Sequence, residues 1–116
     1  MMNNIASLLT DHKGDKSSLE RARQLAAPFE SSDQPVLLDT LGWVYYKLND
    51  IDSALPLLKK AVDGAPKSGV LRYHLGMAYY KKGSKAAAKS ELTRAFATKE
   101  RFTGEDEGRA TLKALQ

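Results

Sequence analysis

A stretch of this sequence recurs after 34 residues, and this recurrence limits the folds open to the chain. Residues 37–46 read LLDTLGWVYY, and residues 71–80 read LRYHLGMAYY. Ten positions are identical at this offset, and they are Val36/Val70, Leu37/Leu71, Leu41/Leu75, Gly42/Gly76, Tyr45/Tyr79, Tyr46/Tyr80, Lys47/Lys81, Ala54/Ala88, Leu58/Leu92 and Ala61/Ala95. A fixed period of this length indicates supersecondary units that stack on their neighbours.

Composition excludes several classes of site. The chain of 116 residues has no cysteine, so disulfides, thiolate metal sites and cysteine nucleophiles are excluded. No apolar run approaches the roughly 20 residues that span a bilayer, so we expect no membrane insertion by this segment. The first residues lack the cationic and apolar regions of a signal peptide. At 42% apolar and 28% charged residues, the composition is that of an ordinary helical domain.

The net charge of +4 raises the question of a nucleic-acid partner. The lysines are spread over the predicted helix surfaces, with one denser group at Lys81, Lys82, Lys85 and Lys89. Such a group around a turn is typical of a solvated helical face. Because there is no arginine-rich arm and no paired aromatic and basic platform, we expect no nucleic-acid partner.

Apolar residues recur with the helical period over most of the chain. The pattern predicts helices over 2–12, 17–27, 35–48, 51–63, 69–82, 85–98 and 105–115. Turns are predicted at Lys13-Gly14-Asp15, at Asn49-Asp50, where asparagine tolerates positive φ, and at Gly83-Ser84. Small residues at the same level of paired helices, Gly42 with Ala54 and Gly76 with Ala88, should let the two axes approach closely.

Three of the differences between the two copies affect the expected packing. Arg72 replaces the apolar Leu38 and Lys85 replaces Ile51, so we expect a thinner core on the outer side of this copy. Glu100 stands where the first copy has Pro66, so another unit should not begin in the same way. Pro56 lies inside a predicted helix and removes one backbone hydrogen bond, which predicts a local kink.

The spacing of the repeated leucine, glycine, tyrosine and alanine residues resembles that of the tetratricopeptide repeat (TPR), a helix–turn–helix unit of this length. The resemblance implies an all-α, TPR-type α-solenoid of antiparallel helix pairs, with about seven helices in a right-handed superhelical stack. It implies one domain over residues 1–116. Its parts would be a degenerate first repeat (1–34), a second repeat (35–68), a third repeat (69–102) and a C-terminal capping helix (103–116).

Once the core face of each repeat is assigned, a second face remains on helices 35–48 and 69–82. Its residues are Val36, Asp39, Trp43, Tyr46, Lys47, Val70, Tyr73, Met77, Tyr80 and Lys81. In TPR proteins the first helix of each repeat lines a concave groove, so the resemblance places these residues there. We therefore predict a partner-binding groove with an exposed aromatic wall of Trp43, Tyr46, Tyr73 and Tyr80. The alternative is that these rings pack between adjacent repeats or are covered by a neighbouring chain.

The predicted function is a protein–protein interaction scaffold that binds a peptide or a helical segment in the concave groove. Some TPR proteins clamp a C-terminal carboxylate, but the equivalent positions here carry the wrong residues, namely Asn3, Ser7, Thr40, Val70 and His74. The alternative function is structural, with homo-oligomers forming through exposed terminal repeats. The partner's identity is left open by the sequence.

No motif supports an enzyme, a cofactor or a metal. Neither a phosphate-binding glycine loop nor an H-E-x-x-H pair occurs, and His12 and His74 are isolated in sequence. We therefore predict a non-enzymatic protein without cofactor or metal. His74 should face either solvent or the next repeat.

The phrases NNIASLL, DTLGWVYYK and LRYHLGMAYYKKG resemble the final repeats of large bacterial TPR proteins linked to polysaccharide export and the exosortase (PEP-CTERM) sorting system. That narrower resemblance implies a bacterial protein of the cell envelope or periplasm.

Overall fold

The chain is a solenoid of paired α-helices, seen in a computed structural model that describes residues 15–116. The described elements are α1 (Lys16–Ala26), a 3₁₀ turn (Ala27–Ser31), α2 (Pro35–Lys47), α3 (Ile51–Gly64), α4 (Gly69–Lys82), α5 (Lys85–Ala97) and α6 (Glu105–Leu115). No strand occurs within this range. The all-α prediction is confirmed, and the six helix predictions that can be compared agree within one residue at each end. The predicted helix 2–12 lies outside the described residues.

Small residues allow the two helices of each pair to pack closely. A Cβ placed on Gly42 in α2 would lie 2.8 Å from Leu58 Cδ2 in α3. The same substitution at Gly76 in α4 would place its Cβ 2.9 Å from Leu92 Cγ in α5. Since Gly64, at the end of α3, lies against Pro35, at the start of α2, the two helices run antiparallel. The same small-residue contact therefore sets the pairing in both hairpins.

The turn of each of the two helical hairpins contains a residue with a positive φ angle. Asn49 has a φ of 65° between α2 and α3, and Gly83 has a φ of 91° between α4 and α5. Asparagine and glycine are the residues that adopt this left-handed conformation most readily. The two turns are therefore equivalent, and the assignment of positive φ to Asn49 is confirmed.

Glu100 belongs to the start of α4 rather than to a new unit. The backbone N–H of Gly69 donates to Glu100 Oε1 at 2.9 Å, and that of Leu71 donates to the Ser68 side chain at 3.3 Å. The first N–H groups of a helix lack partners inside the helix, and a carboxylate also complements the positive end of the helix dipole. The chain after α5 thus returns to satisfy the first turn of α4.

Proline at position 56 does not interrupt α3, which runs continuously from Ile51 to Gly64. Ahead of it, Asp50 caps the helix, because its side chain accepts a hydrogen bond from the N–H of Ser53. The predicted kink at Pro56 stays a prediction.

Two groups of buried side chains form the core. One lies between α1 and α2 and contains Ala22, Ala26, Leu41 and Val44. The other runs from α2 to α5 and is joined at its far end by partly buried residues of the C-terminal region, including Phe102 and Leu112. This distribution is that of stacked units, each of which buries its apolar face on its neighbours. No helix in residues 15–116 has the length and apolarity required to cross a bilayer.

Candidate protein-binding groove

The helices α2 and α4 lie side by side, and a polar pair joins their facing sides. Asp39 Oδ1 and His74 Nδ1 are 2.7 Å apart, and each side chain is about one-tenth exposed. The His74 ring also stacks on Trp43, with their centroids 3.9 Å apart. His74 therefore faces the neighbouring helix, and it is neither isolated nor turned to solvent.

The structure corrects the prediction of an exposed aromatic wall. Trp43 is 7% exposed, Tyr46 6% and Tyr73 2%. Trp43 is stacked between Tyr46, at a centroid distance of 4.3 Å, and His74. The prediction that these rings are exposed is wrong, because they pack against one another between the helices. The alternative, that the rings pack between adjacent repeats, describes Trp43 and Tyr73, whose rings meet across α2 and α4.

The C-terminal helix explains the burial of Tyr73. A Cβ on Gly108 of α6 would lie 2.7 Å from the Tyr73 ring, and one on Gly104 would lie 2.5 Å from its hydroxyl oxygen. Phe102 adds a ring contact to Tyr73 with a centroid distance of 5.1 Å. Phe102, Gly104 and Gly108 of the C-terminal segment therefore all lie against Tyr73.

The other predicted groove residues differ in exposure. Asp39 and Met77 are buried, Val70 is partly buried, and Lys47 and Lys81 are exposed. Val36 is 58% exposed and Tyr80 is 39% exposed, and they are the exposed large apolar side chains in the described part of the chain. Half of the ten predicted residues can therefore reach a partner in this conformation, namely Val36, Lys47, Val70, Tyr80 and Lys81.

A depression of about 350 Å³ opens between α2, α4 and the start of α6. It is lined by Trp43, Lys47, Val70, Tyr73, His74, Thr103, Gly104 and Glu107. Four of these residues belong to the predicted groove. The other six residues of the predicted set do not line it, namely Val36, Asp39, Tyr46, Met77, Tyr80 and Lys81. The remaining lining residues were missed as groove residues, although the aromatic and glycine residues at 102–104 are a sequence signal for a close approach.

The charges around this depression have opposite signs. The Lys47 ammonium lies 5.2 Å from the centroid of the Trp43 ring, a cation–π contact. Glu107 contributes a carboxylate from α6. Burial, together with the negative charge of Glu107, raises the pKa of Tyr46 to about 12. The depression thus combines an aromatic floor with one cation and one anion at its edge, which suits a segment with an apolar side chain and flanking charges.

Nothing in this geometry marks a metal site, since no group of three or more potential ligand side chains occurs within residues 15–116.

Comparison with known proteins supports the fold at two levels. The family model described as tetratricopeptide repeat matches residues 32–101. The structure is similar to the NMR structure of the first TPR domain of the human RPAP3 protein, with a TM-score of 0.70 and 20% sequence identity. That similarity covers 97% of this chain and 94% of the RPAP3 domain.

No curated protein matches the chain. These comparisons give no support to the narrower resemblance to bacterial export-linked proteins.

Proposed function

This chain belongs to the tetratricopeptide repeat family, whose fold generally mediates protein–protein interactions, and we propose that it binds a peptide segment of a partner protein in the depression between α2, α4 and α6. The observation that carries this proposal is the combination of an aromatic floor, Trp43 and Tyr73, with Lys47 and Glu107 at the edge. The role is one of binding, without catalysis by this domain.

The proposed binding mode differs from one in which aromatic rings insert into the partner. Trp43 and Tyr73 are already packed by their own chain, so they offer only the small exposed parts of their rings as a floor. An apolar partner side chain would rest on this floor, and charged partner groups would pair with Lys47 and Glu107. Val70 adds a partly buried apolar side chain at the same site. Val36, Tyr80 and Lys81 stay predicted contacts outside the depression.

Selection of peptides from a random displayed library, with the domain as bait, provides probes for this site. A synthetic copy of a selected peptide should change the fluorescence of Trp43, which is the only tryptophan in the chain. We expect the charge reversal Lys47→Glu or Glu107→Lys to change the Kd by about tenfold. The matched control is Lys89→Glu, because Lys89 is an exposed lysine of α5 outside the depression.

Backbone chemical shifts would locate the bound peptide independently. The proposal predicts shifts concentrated at residues 43–47, 70–74 and 103–107. Shifts confined to α3 and α5, with both charge reversals leaving the Kd unchanged, would contradict it. Light scattering on the same samples tests self-association, and a dimer that Lys47→Glu dissociates would assign this face to a second copy of the chain instead.

A further inference from the structure

The side of α4 that faces away from the depression carries an ion pair where the preceding repeat is apolar. Arg72 and Glu91 occupy the positions that Leu38 and Leu57 occupy 34 residues earlier. Leu38 is 1% exposed and belongs to the core. The Arg72 Nη1 and Glu91 Oε1 atoms are 2.7 Å apart, and the two side chains are 14% and 15% exposed. The chain thus replaces an apolar pair with a largely shielded charged pair at the same place.

Arg72 is held rigidly at this place. Its Nε donates to the backbone carbonyl of Pro66 at 2.8 Å, while its Nη1 donates to Glu91. The hydrogen bonds found within residues 15–116 leave its Nη2 group without a protein acceptor. A planar guanidinium with fixed orientation and remaining N–H groups is a recognition group for carboxylates.

Two adjoining depressions meet at Arg72, and they form a furrow between α3 and α5. The first, of about 260 Å³, is lined by Lys59, Val62, Asp63, Pro66, Arg72, Leu75, Tyr79, Glu91 and Arg94. The second, of about 530 Å³, is lined by Pro66, Lys67, Arg72, Arg94, Ala97, Thr98 and Glu100. Because Pro66, Arg72 and Arg94 line both, the two depressions lie next to each other.

The furrow carries a small net positive charge, since four cations and three carboxylates line it. Glu91 pairs with Arg72, and Glu100 accepts the hydrogen bond from Gly69. The other charged lining residues are the cations Lys59, Lys67 and Arg94 and the single carboxylate Asp63. None of these four takes part in an ion pair within the described part of the chain.

We propose that this furrow, defined by Lys59, Lys67, Arg72 and Arg94, is a second binding site that takes an acidic peptide segment. Carboxylates of the segment pair with Lys59 and Arg94 and reach the Nη2 group of Arg72. Val62, Leu75 and Tyr79 provide an apolar base for the side chains between them. The site is separate from the depression between α2, α4 and α6, so the domain can hold two protein segments at once.

The test uses a fluorescein-labelled peptide of alternating glutamate and leucine, and its counterpart with glutamine in place of glutamate. Anisotropy should show that the glutamate peptide binds and that the glutamine peptide binds at least about tenfold more weakly. We expect Arg94→Glu and Lys59→Glu each to weaken the glutamate peptide by about tenfold or more. Lys60→Glu is the matched control, because Lys60 is exposed beside Lys59, does not line the furrow, and is equivalent to Arg94 one repeat earlier.

A second variant tests the role of Arg72 without leaving Glu91 unpaired. The double substitution Arg72→Leu with Glu91→Leu gives the furrow the residues of the preceding repeat, which already fold with leucine at both positions. This variant should keep its helical circular dichroism and lose binding of the glutamate peptide.

Four results would overturn the proposal. Equal binding of the two peptides would exclude carboxylate recognition. An equal loss with Lys60→Glu and Arg94→Glu would show a diffuse attraction to a basic protein. Tighter, furrow-dependent binding of inorganic phosphate or of a single-stranded oligonucleotide would assign the site to a different ligand. Loss of the glutamate peptide with Lys47→Glu alone would place it in the other depression.

Discussion

His74 is the side chain that most directly links α2 to α4. It pairs with Asp39 at 2.7 Å and stacks on Trp43 at a centroid distance of 3.9 Å. A carboxylate that is only 10% exposed requires such a partner, since an unsatisfied buried polar group is costly.

Substitutions at this pair should therefore lower the free energy of unfolding. His74→Phe keeps a ring against Trp43 but leaves Asp39 without its partner, and we expect a loss of about 1–3 kcal/mol. Asp39→Ala combined with His74→Phe should cost less than the sum of the two single changes, by about 0.5 kcal/mol or more. Urea unfolding of the four proteins measures this coupling. Strictly additive effects would show that the two side chains do not act as a pair.

The ionisation of Tyr46 provides a second test at the residue scale. Its pKa in the folded chain is about 12, above the ordinary value of 10.0, because of burial and the charge of Glu107. The folded state therefore holds this proton more tightly than the unfolded state. The stability that results is fully present below pH 10 and is lost as the pH rises through 12.

Phenolate absorbance measures this directly. Tyr46→Phe should remove a titration step near pH 12, and Glu107→Gln should move that step to lower pH. Asp106→Asn is the control, since Asp106 is an exposed carboxylate beside Glu107. If Tyr46→Phe instead removed a step near pH 10, the assignment of Tyr46 as a shielded phenol would be wrong.

Among the helices, α6 has an unusual contact for a short terminal element. Gly108 is its only fully buried residue and lies against the Tyr73 ring. Arg109, next to it, places its guanidinium 4.3 Å from the centroid of the Phe96 ring. The helix therefore docks through a glycine and a cation–π contact, with Leu112 and Leu115 partly buried beside them.

Gly108→Ala tests this docking, because we expect it to lower the free energy of unfolding, whereas the same change in an exposed helix raises it. In an exposed helix, replacing glycine with alanine stabilises by about 1 kcal/mol. Here the added Cβ would lie 2.7 Å from Tyr73 Cδ1, so we expect a net loss of about 1–3 kcal/mol. Thermal and urea unfolding give the value. Asp106→Ala, at an exposed position of the same helix, should change stability by less than about 0.5 kcal/mol. A stabilised Gly108→Ala protein would mean that α6 does not pack on Tyr73.

At the scale of the whole molecule, stability should be distributed along the stack. The central helices α2, α3, α4 and α5 have neighbours on both sides, whereas Gly108 is the one buried residue of α6. Repeat arrays behave as sums of unit stabilities and nearest-neighbour terms, so their ends open before their centre.

Native-state hydrogen exchange should therefore show a gradient. We expect the slowest backbone exchange in α2, α3, α4 and α5, and faster exchange in α1 and α6. Gly108→Ala should accelerate exchange in α6 first, with a smaller effect in α1. A single uniform exchange free energy across all described helices would indicate one cooperative core instead of a stack.

Local sequence patterns were enough to locate the helices and turns. Pro35, Asn49 and Gly83 act through the backbone conformation of their own residues, so each marks its boundary without knowledge of distant contacts. The 34-residue recurrence then determined which helices pair, because identical small residues must meet identical partners in each copy. The helix predictions within residues 15–116 were confirmed for this reason.

The candidate site depended on contacts that a helical period cannot specify. Periodicity predicted that Trp43 and Tyr73 are exposed. Instead, His74 stacks on Trp43, and Gly104 and Gly108 bring the C-terminal segment onto Tyr73. The pairing of Asp39 with His74 and the approach of Glu107 to Tyr46 also join separate helices. Sequence by itself thus determined the repeat, the helices and their partners, because these follow from local backbone preference and spacing. Only the tertiary structure decided which side chains stay accessible, because accessibility depends on what every other helix covers.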